Sequence, residues 1–386
     1  MLKKRALIIS LMFLFMVLGV ALCYSYYPHF KTNIPVQTYY SSIKILDSTQ
    51  INVNAENNTG KWTYYPQKQI WVLNSLHHAK IFDKNFNLLH TIRGQVKEMC
   101  PKPDDKYSSS QPVRVGAFGM GNNTMVVYDD LYQNIFVYDA TSYKIIKKIK
   151  PDFKNKRYWG SCLSYNNIET NDSIAILMLK SVSKDVKTIY ETDKKVLTLF
   201  NLKTGKTIRN FGQYDEIYRE KKYLNYLEYY RFKADFENQR VFYQFHASPN
   251  IYEYNWKTGQ EKVFGKPVKE YTKPEKTIPD SLFFTPEGIG LQNKYKKECF
   301  LHDDLYYDNN KKLLYRLVLK PITGNKHVKK SIIQVYNLNN YELIGEAELP
   351  ESVYYISYVD ENGVVWCMTH PHSGNITLYK ITLIQS

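Results

Sequence analysis

The chain has 386 residues, of which 44% are hydrophobic, which excludes global disorder and allows one large domain or two ordinary ones. Its 35 tyrosines and 18 phenylalanines, with many valines and isoleucines, favour pleated, half-buried surfaces and so a sheet-rich core. The formal net charge of +15 comes mostly from lysines scattered through predicted loops. Outside the cytoplasm this points to a solvated surface or to anionic partners, and not to nucleic acid.

Lys3, Lys4 and Arg5 precede an apolar run over residues 6–23. A basic flank before such a run leaves the N-terminus inside and the rest of the chain outside. The run is at the short end for a spanning helix. Gly19, Val20 and Ala21 offer the small residues of a cleavable signal, and Cys23 is where a lipid could be attached. Retained anchor, cleaved signal and lipoprotein all place the chain in the cell envelope, with the membrane met only through residues 1–23. Residues 24–35 read as a tether and 36–386 as the folded domain.

From there one pattern recurs: a short apolar strand, a turn, a strand ending in aromatic and polar residues, a tight turn, and another strand. It covers residues 70–92, 125–149, 174–180 with 196–212, 241–265, 313–320 with 332–349, and 364–383. The second turn of each of the first five units opens on Asp83, Asp139, Asn201, Asn255 or Asn337. Asp and Asn start such turns because their side chains accept from the backbone two or three residues on. Gly205 and Gly259 suit the left-handed position that closes them. Calling the strands of a unit a to d, candidate a strands are residues 61–65, 113–118, 161–165, 229–235, 299–306 and 353–358.

Repeated four-stranded units of this spacing predict an all-β fold, a six-bladed β-propeller with an N-terminal transmembrane or signal helix. The sixth unit lacks its outer strand, and residues 36–46 (VQTYYSSIKIL) form a strand with no unit of their own. Placed beside the last unit, they close the ring. Residues 70–92 (IWVLNSLHHAKIFDKNFNLLHTI) resemble the NHL-type propeller repeat, with Asn74 where that repeat has Asp. The whole ring is similar to the TolB-like propellers of Bacteroidetes-type envelope proteins. That resemblance implies a fold and an envelope location, and no particular activity.

In a four-stranded blade the a–b and c–d turns share one face of the disc; the b–c turns and the connections to the next blade share the other. The compact turns fall on the first face. The long segments, 93–112, 150–160, 212–227, 265–297, 181–194 and 321–330, fall on the second. Loops of this length point to binding. The tether is short, so the compact face is expected to look towards the membrane.

Candidate site residues lie near the axis and on the long-loop face. Arg114, Arg231 and the run His302, Asp303, Asp304 fall in or beside predicted inner strands, where ligand-binding groups of a channel would stand. The plainer reading of Asp303 and Asp304 is that they end a strand. His77, His78, His370 and His372 fall in b–c turns of blades that the closing strand makes neighbours; histidine pairs can ligate a transition metal. Besides Cys23, the cysteines Cys100, Cys162, Cys299 and Cys367 have no metal-site spacing and read as buried single thiols. Gly116, Gly119 and Gly121 lack the strand-to-helix setting of a phosphate loop and are assigned to a turn. No cofactor is required. The sequence favours a binding or scaffolding module for a protein or glycan partner over its alternative, a channel-site enzyme such as a metal-dependent lactonase, other hydrolase or lyase.

Overall fold

Short segments of alternating apolar and polar side chains can satisfy their backbones only by pairing with neighbours. A computed structural model shows how that pairing is made. The structure describes residues 40–52, 60–75, 78–95, 111–129, 132–151, 166–178, 195–220, 227, 230–279, 281–282, 285–322, 329–350, 353–369 and 375–385.

Strand β1 (Tyr40–Asn52) comes first. Then β2 (Lys61–Tyr65), β3 (Ile70–Asn74), β4 (His78–Asp83) and β5 (Leu88–Arg93) form an antiparallel meander. A second meander joins β6 (Val115–Met120), β7 (Thr124–Asp129), β8 (Asn134–Asp139) and β9 (Ile145–Ile149), with the two-residue β10 (Asn166–Asn167) parallel to β6. β11 (Glu169–Thr170), β12 (Ile174–Met178), β13 (Leu197–Asn201) and β14 (Thr207–Phe211) follow, then β15 (Tyr230–Asp235), β16 (Arg240–Phe245), β17 (Ile251–Asn255) and β18 (Glu261–Phe264).

The remaining strands share an eight-stranded sheet. One half is β19 (Leu301–Asp308), β20 (Leu313–Leu319), β21 (Ser331–Asn337) and β22 (Glu342–Glu348). The other is β23 (Val353–Val359), β24 (Val365–Thr369) and β25 (Asn375–Gln385), with β1 as its outer strand. β1 runs antiparallel to β25 from Tyr40 opposite Gln385 to Asn52 opposite Asn375. The halves meet where Tyr40 pairs with Gly345 of β22. A side chain at Gly345 would lie 2.6 Å from the Tyr40 Cβ, so only glycine permits that junction.

The first strands of the meanders lie side by side in a propeller-like arrangement: β2 touches β23, β23 touches β19, β19 touches β15, β15 touches β11, and β11 touches β6. Between sheets the core is aliphatic and aromatic. Trp62 and Trp71 are fully buried, with Trp62 5.0 Å from Phe82 and Tyr64 stacked 5.5 Å from Trp366 across the boundary to the last sheet.

The repeated turns behave as their chemistry dictates. The side-chain oxygen of Asp83, Asp139, Asn201, Asn255 and Asn337 accepts from a backbone N–H two or three residues on in every case. A left-handed residue then closes each turn: Phe86, Tyr143, Gly205, Gly259 and Tyr341.

Two details depart from the sequence reading. The a strand paired with β12 is the two-residue β11; residues 161–165 lie outside the described residues. Gly119 lies within β6, not in a turn, and its reason is close approach: a Cβ there would stand 2.2 Å from the Ile168 carbonyl oxygen.

Candidate functional site

Asp303 and Asp304 do not end a strand; they lie near the start of β19, and a β-bulge separates them. His302 pairs with Val318 and Asp304 with Leu317, leaving Asp303 as the extra residue. A bulge re-aims side chains, and here it lets adjacent carboxylates serve different sheets. Asp304 Oδ1 is 2.5 Å from Lys61 Nζ on β2. Its Oδ2 accepts from the Ile356 backbone N–H on β23 at 3.1 Å, and its carbonyl accepts from Gln244 of β16 at 3.4 Å. Asp303 Oδ1 stands 2.9 Å from His246 Nε2 and 3.3 Å from Arg231 Nη2 on β15. A third pair, Lys233 with Glu169 at 2.7 Å, ties β15 to β11.

These groups are enclosed: Asp304 is 1% and Lys61 3% exposed. Burial lowers the Lys61 ammonium from its usual range; Asp304 opposes that shift, while Lys233 and Arg231 add to it. Burial acts to raise the Asp303 carboxyl, but Arg231 beside it and the contact with His246 outweigh that and hold it below the usual carboxylate range. Burial lowers His246 despite Asp303. It lowers His302 much further, with the Arg316 charge adding to the effect. Both imidazoles are therefore neutral at pH 7. His302 Nδ1 lies 3.2 Å from the His246 carbonyl oxygen, a contact served by a proton on Nδ1.

A carboxylate beside a histidine is the unit that acid–base chemistry uses. Here its carboxylate also faces an arginine, and every carboxylate of the cluster is matched with a cation from another strand. The arrangement joins β19 to β2, β15 and β23, and β15 to β11.

Of the residues singled out from sequence, Arg231, His302, Asp303 and Asp304 are brought together. Arg114 is buried just ahead of β6 in a different sheet. His78 opens β4, whereas His77, His370 and His372 lie outside the described residues. Among the described residues no three His, Cys, Asp or Glu are grouped as metal ligands would be. Cys299 and Cys367 are both buried. Sequence reasoning missed Lys61, His246, Gln244 and the Lys233–Glu169 pair. The available signal was faint: a lysine opening an apolar strand, and a histidine directly after one.

The long connections carry their own framework. After β14, Asp215 accepts from the Ile217 N–H at 2.9 Å, Ser248 Oγ at 2.5 Å, Asn250 Nδ2 at 2.9 Å and Tyr252 OH at 2.6 Å. This fixes the short helix α1 (Glu216–Glu220) to the turn between β16 and β17. After β18, helix α2 (Pro286–Glu298) starts at Thr285, whose hydroxyl accepts from the Gly288 N–H at 3.1 Å. Lys329 closes its other end, donating to the carbonyls of Lys297 at 3.1 Å, Cys299 at 2.6 Å and Lys320 at 3.2 Å. Burial brings that ammonium down to about 8. Arg316 reaches the Pro249 carbonyl at 2.5 Å and the Lys266 carbonyl, tying the β16–β17 turn to the connection after β18. Only Gly288 of α2 is buried, and Ile289 is 50% exposed.

At the opposite end of the axis the a–b turns surround a cavity of about 580 Å³. Among the described residues no helix is long and apolar enough to cross a membrane; the apolar run at residues 6–23 lies outside them.

No family model matches the sequence, and no curated protein matches it. The structure is similar to a member of the DUF4221 family from Bacteroides vulgatus, with a TM-score of 0.61 at 12% identity, over 91% of this chain and 100% of that one. The fold is a β-propeller. Further likenesses are to an exported protein of Bacteroides fragilis, so described provisionally (TM-score 0.49, 11% identity, 89% of this chain and 95% of that one). A β-propeller domain from Myceliophteria thermophila is also similar (TM-score 0.45, 6% identity, 88% and 100%). At these identities what is shared with the Bacteroides vulgatus protein is the propeller fold alone.

Proposed function

We propose that this chain is a six-bladed propeller of the bacterial cell envelope that binds a protein partner through the face bearing its long connections. The six-fold count rests on the six sequence units and on the division of the eight-stranded sheet into two meanders. In this reading β1 is the outer strand of the last blade, and the NHL-type, TolB-like resemblance applies to the whole ring. The basic flank and apolar run at residues 3–23 support attachment at the membrane.

The observation that carries the binding role is helix α2. It is capped at both ends, its one fully buried residue is Gly288, and it rests on the core through half-buried Leu291 and Tyr295 while Ile289 stays exposed. A capped helix that packs one side on the core and holds Ile289 outward presents an apolar side chain to a partner. A channel-site enzyme, the competing reading, needs Asp303 and Asp304 for substrate or metal, and both are engaged by Lys61, Arg231 and His246.

The test is crosslinked capture of partners from intact membranes, comparing the native chain with Ile289→Glu combined with Lys294→Glu. Loss of the captured protein with an unchanged unfolding midpoint is expected. Capture of the same protein by both chains would overturn the assignment of this face.

A further inference from the structure

The cavity on the compact-turn face is independent of that partner surface and has a chemistry of its own. Its volume of about 580 Å³ lies within the range of small-molecule sites. Its walls come from several inner strands and the turns that follow them: Tyr65 at the end of β2 and Gln67 after it, Asn122 after β6, Phe236 after β15, and Tyr307 and Asn309 from β19 and its turn.

These walls are stapled across sheet boundaries. The Asp172 carboxylate, in the turn after β11, accepts from the Asn123 N–H at 3.0 Å, the Thr124 N–H at 2.9 Å and the Thr124 hydroxyl at 2.8 Å, all next to β7. Tyr307 OH donates to Asp235 Oδ2 at 2.8 Å, and Asn309 Nδ2 donates to Glu237 Oε2 at 2.6 Å, which joins the turns after β15 and β19. Bonds around an open mouth bury little apolar surface. Their effect is to fix the side chains that line it, which lowers the ordering cost of a ligand.

The lining is balanced in charge. It holds one lysine, half-buried Lys68, and one exposed carboxylate, Glu237, while Asp235 is paired with Arg240 Nε at 2.9 Å. The lining therefore shows no cluster of one sign that would select a charged ligand. The exposed carboxamides of Gln67 and Asn122 can each donate and accept, as sugar hydroxyls require. Tyr65, Phe236 and Tyr307 supply aromatic surface for the apolar face of a pyranose ring. We infer that the compact-face cavity binds a neutral saccharide of one to three rings.

Saturation-transfer NMR and calorimetry on the full-length chain test this with cellobiose, lactose, mannobiose, maltotriose and diacetylchitobiose, and with inorganic phosphate and trialanine as the charged and peptide comparisons. Transfer to the ring protons of at least one saccharide is expected, with affinity reduced about tenfold by Asn122→Ala and by Phe236→Ala, roughly 1.4 kcal/mol each. Asn122 is exposed, so its replacement leaves the unfolding midpoint unchanged and separates binding from folding. Binding of none of the five sugars, tighter binding of phosphate or trialanine, or sugar binding unaltered by both substitutions would overturn the inference.

Discussion

The peripheral turns and the axis are built on opposite plans. Each c–d turn repeats one device, an Asp or Asn side chain folded onto the backbone that follows it. Asn255 accepts from Lys257 and Thr258 at 3.0 and 2.9 Å, and Asp139 from Thr141 and Ser142 at 3.1 and 2.7 Å. At the axis nothing repeats. Lys61 with Asp304, Arg231 with Asp303 and Lys233 with Glu169 each occur once, and each joins different strands. Local repetition makes the sheets; single, long-range ion pairs set which sheet stands beside which.

The largest effect expected from breaking that contrast is at Lys61. Lys61→Met keeps the bulk but leaves the Asp304 carboxylate buried without its cation, at a cost of about 3–5 kcal/mol. Urea unfolding of the variant measures it. A loss below about 1 kcal/mol would place the axis on the same footing as a surface pair.

The next effect is on pH. The folded state lowers both His246 and His302, so it binds fewer protons there than the unfolded chain. Stability from these groups is present above the unfolded histidine value of about 6.5 and is lost as pH falls below it. The unfolding temperature should therefore drop between pH 7 and pH 5, and His302→Gln should flatten the slope. Asp303, also lowered, adds its loss only at more acid pH, below the ordinary carboxylate value.

Smaller effects belong to the periphery. Asn255→Ala removes two turn bonds and should cost about 1 kcal/mol, with no change in the pH slope. Ile289→Glu on the exposed helix should alter stability by less than about 0.5 kcal/mol. Its consequence is in partner capture.

The same contrast decides what the sequence reveals. Strands such as β17 and turns such as the one at Asn255 are written locally, in period-two alternation and in an Asn followed four residues later by Gly259. The charge network is written across the whole chain: Lys61 and Asp304 are 243 positions apart, Arg231 and Asp303 are 72 apart. No window of sequence contains both members of such a pair. Asp303 and Asp304 could be noticed as a doublet, but the bulge that sends them to different sheets depends on the pairing of β19 with β20. β11 escaped recognition because two residues carry no period.

Hydrogen exchange in Lys61→Met tests the adhesive axis most directly. The Ile356 N–H on β23 reports on it, since its acceptor is Asp304. If the axis holds the sheets in place, removing Lys61 lowers protection together in β2, β19 and β23, Ile356 included, while the β17–β18 hairpin keeps its own. Loss of protection confined to β2 would contradict that account.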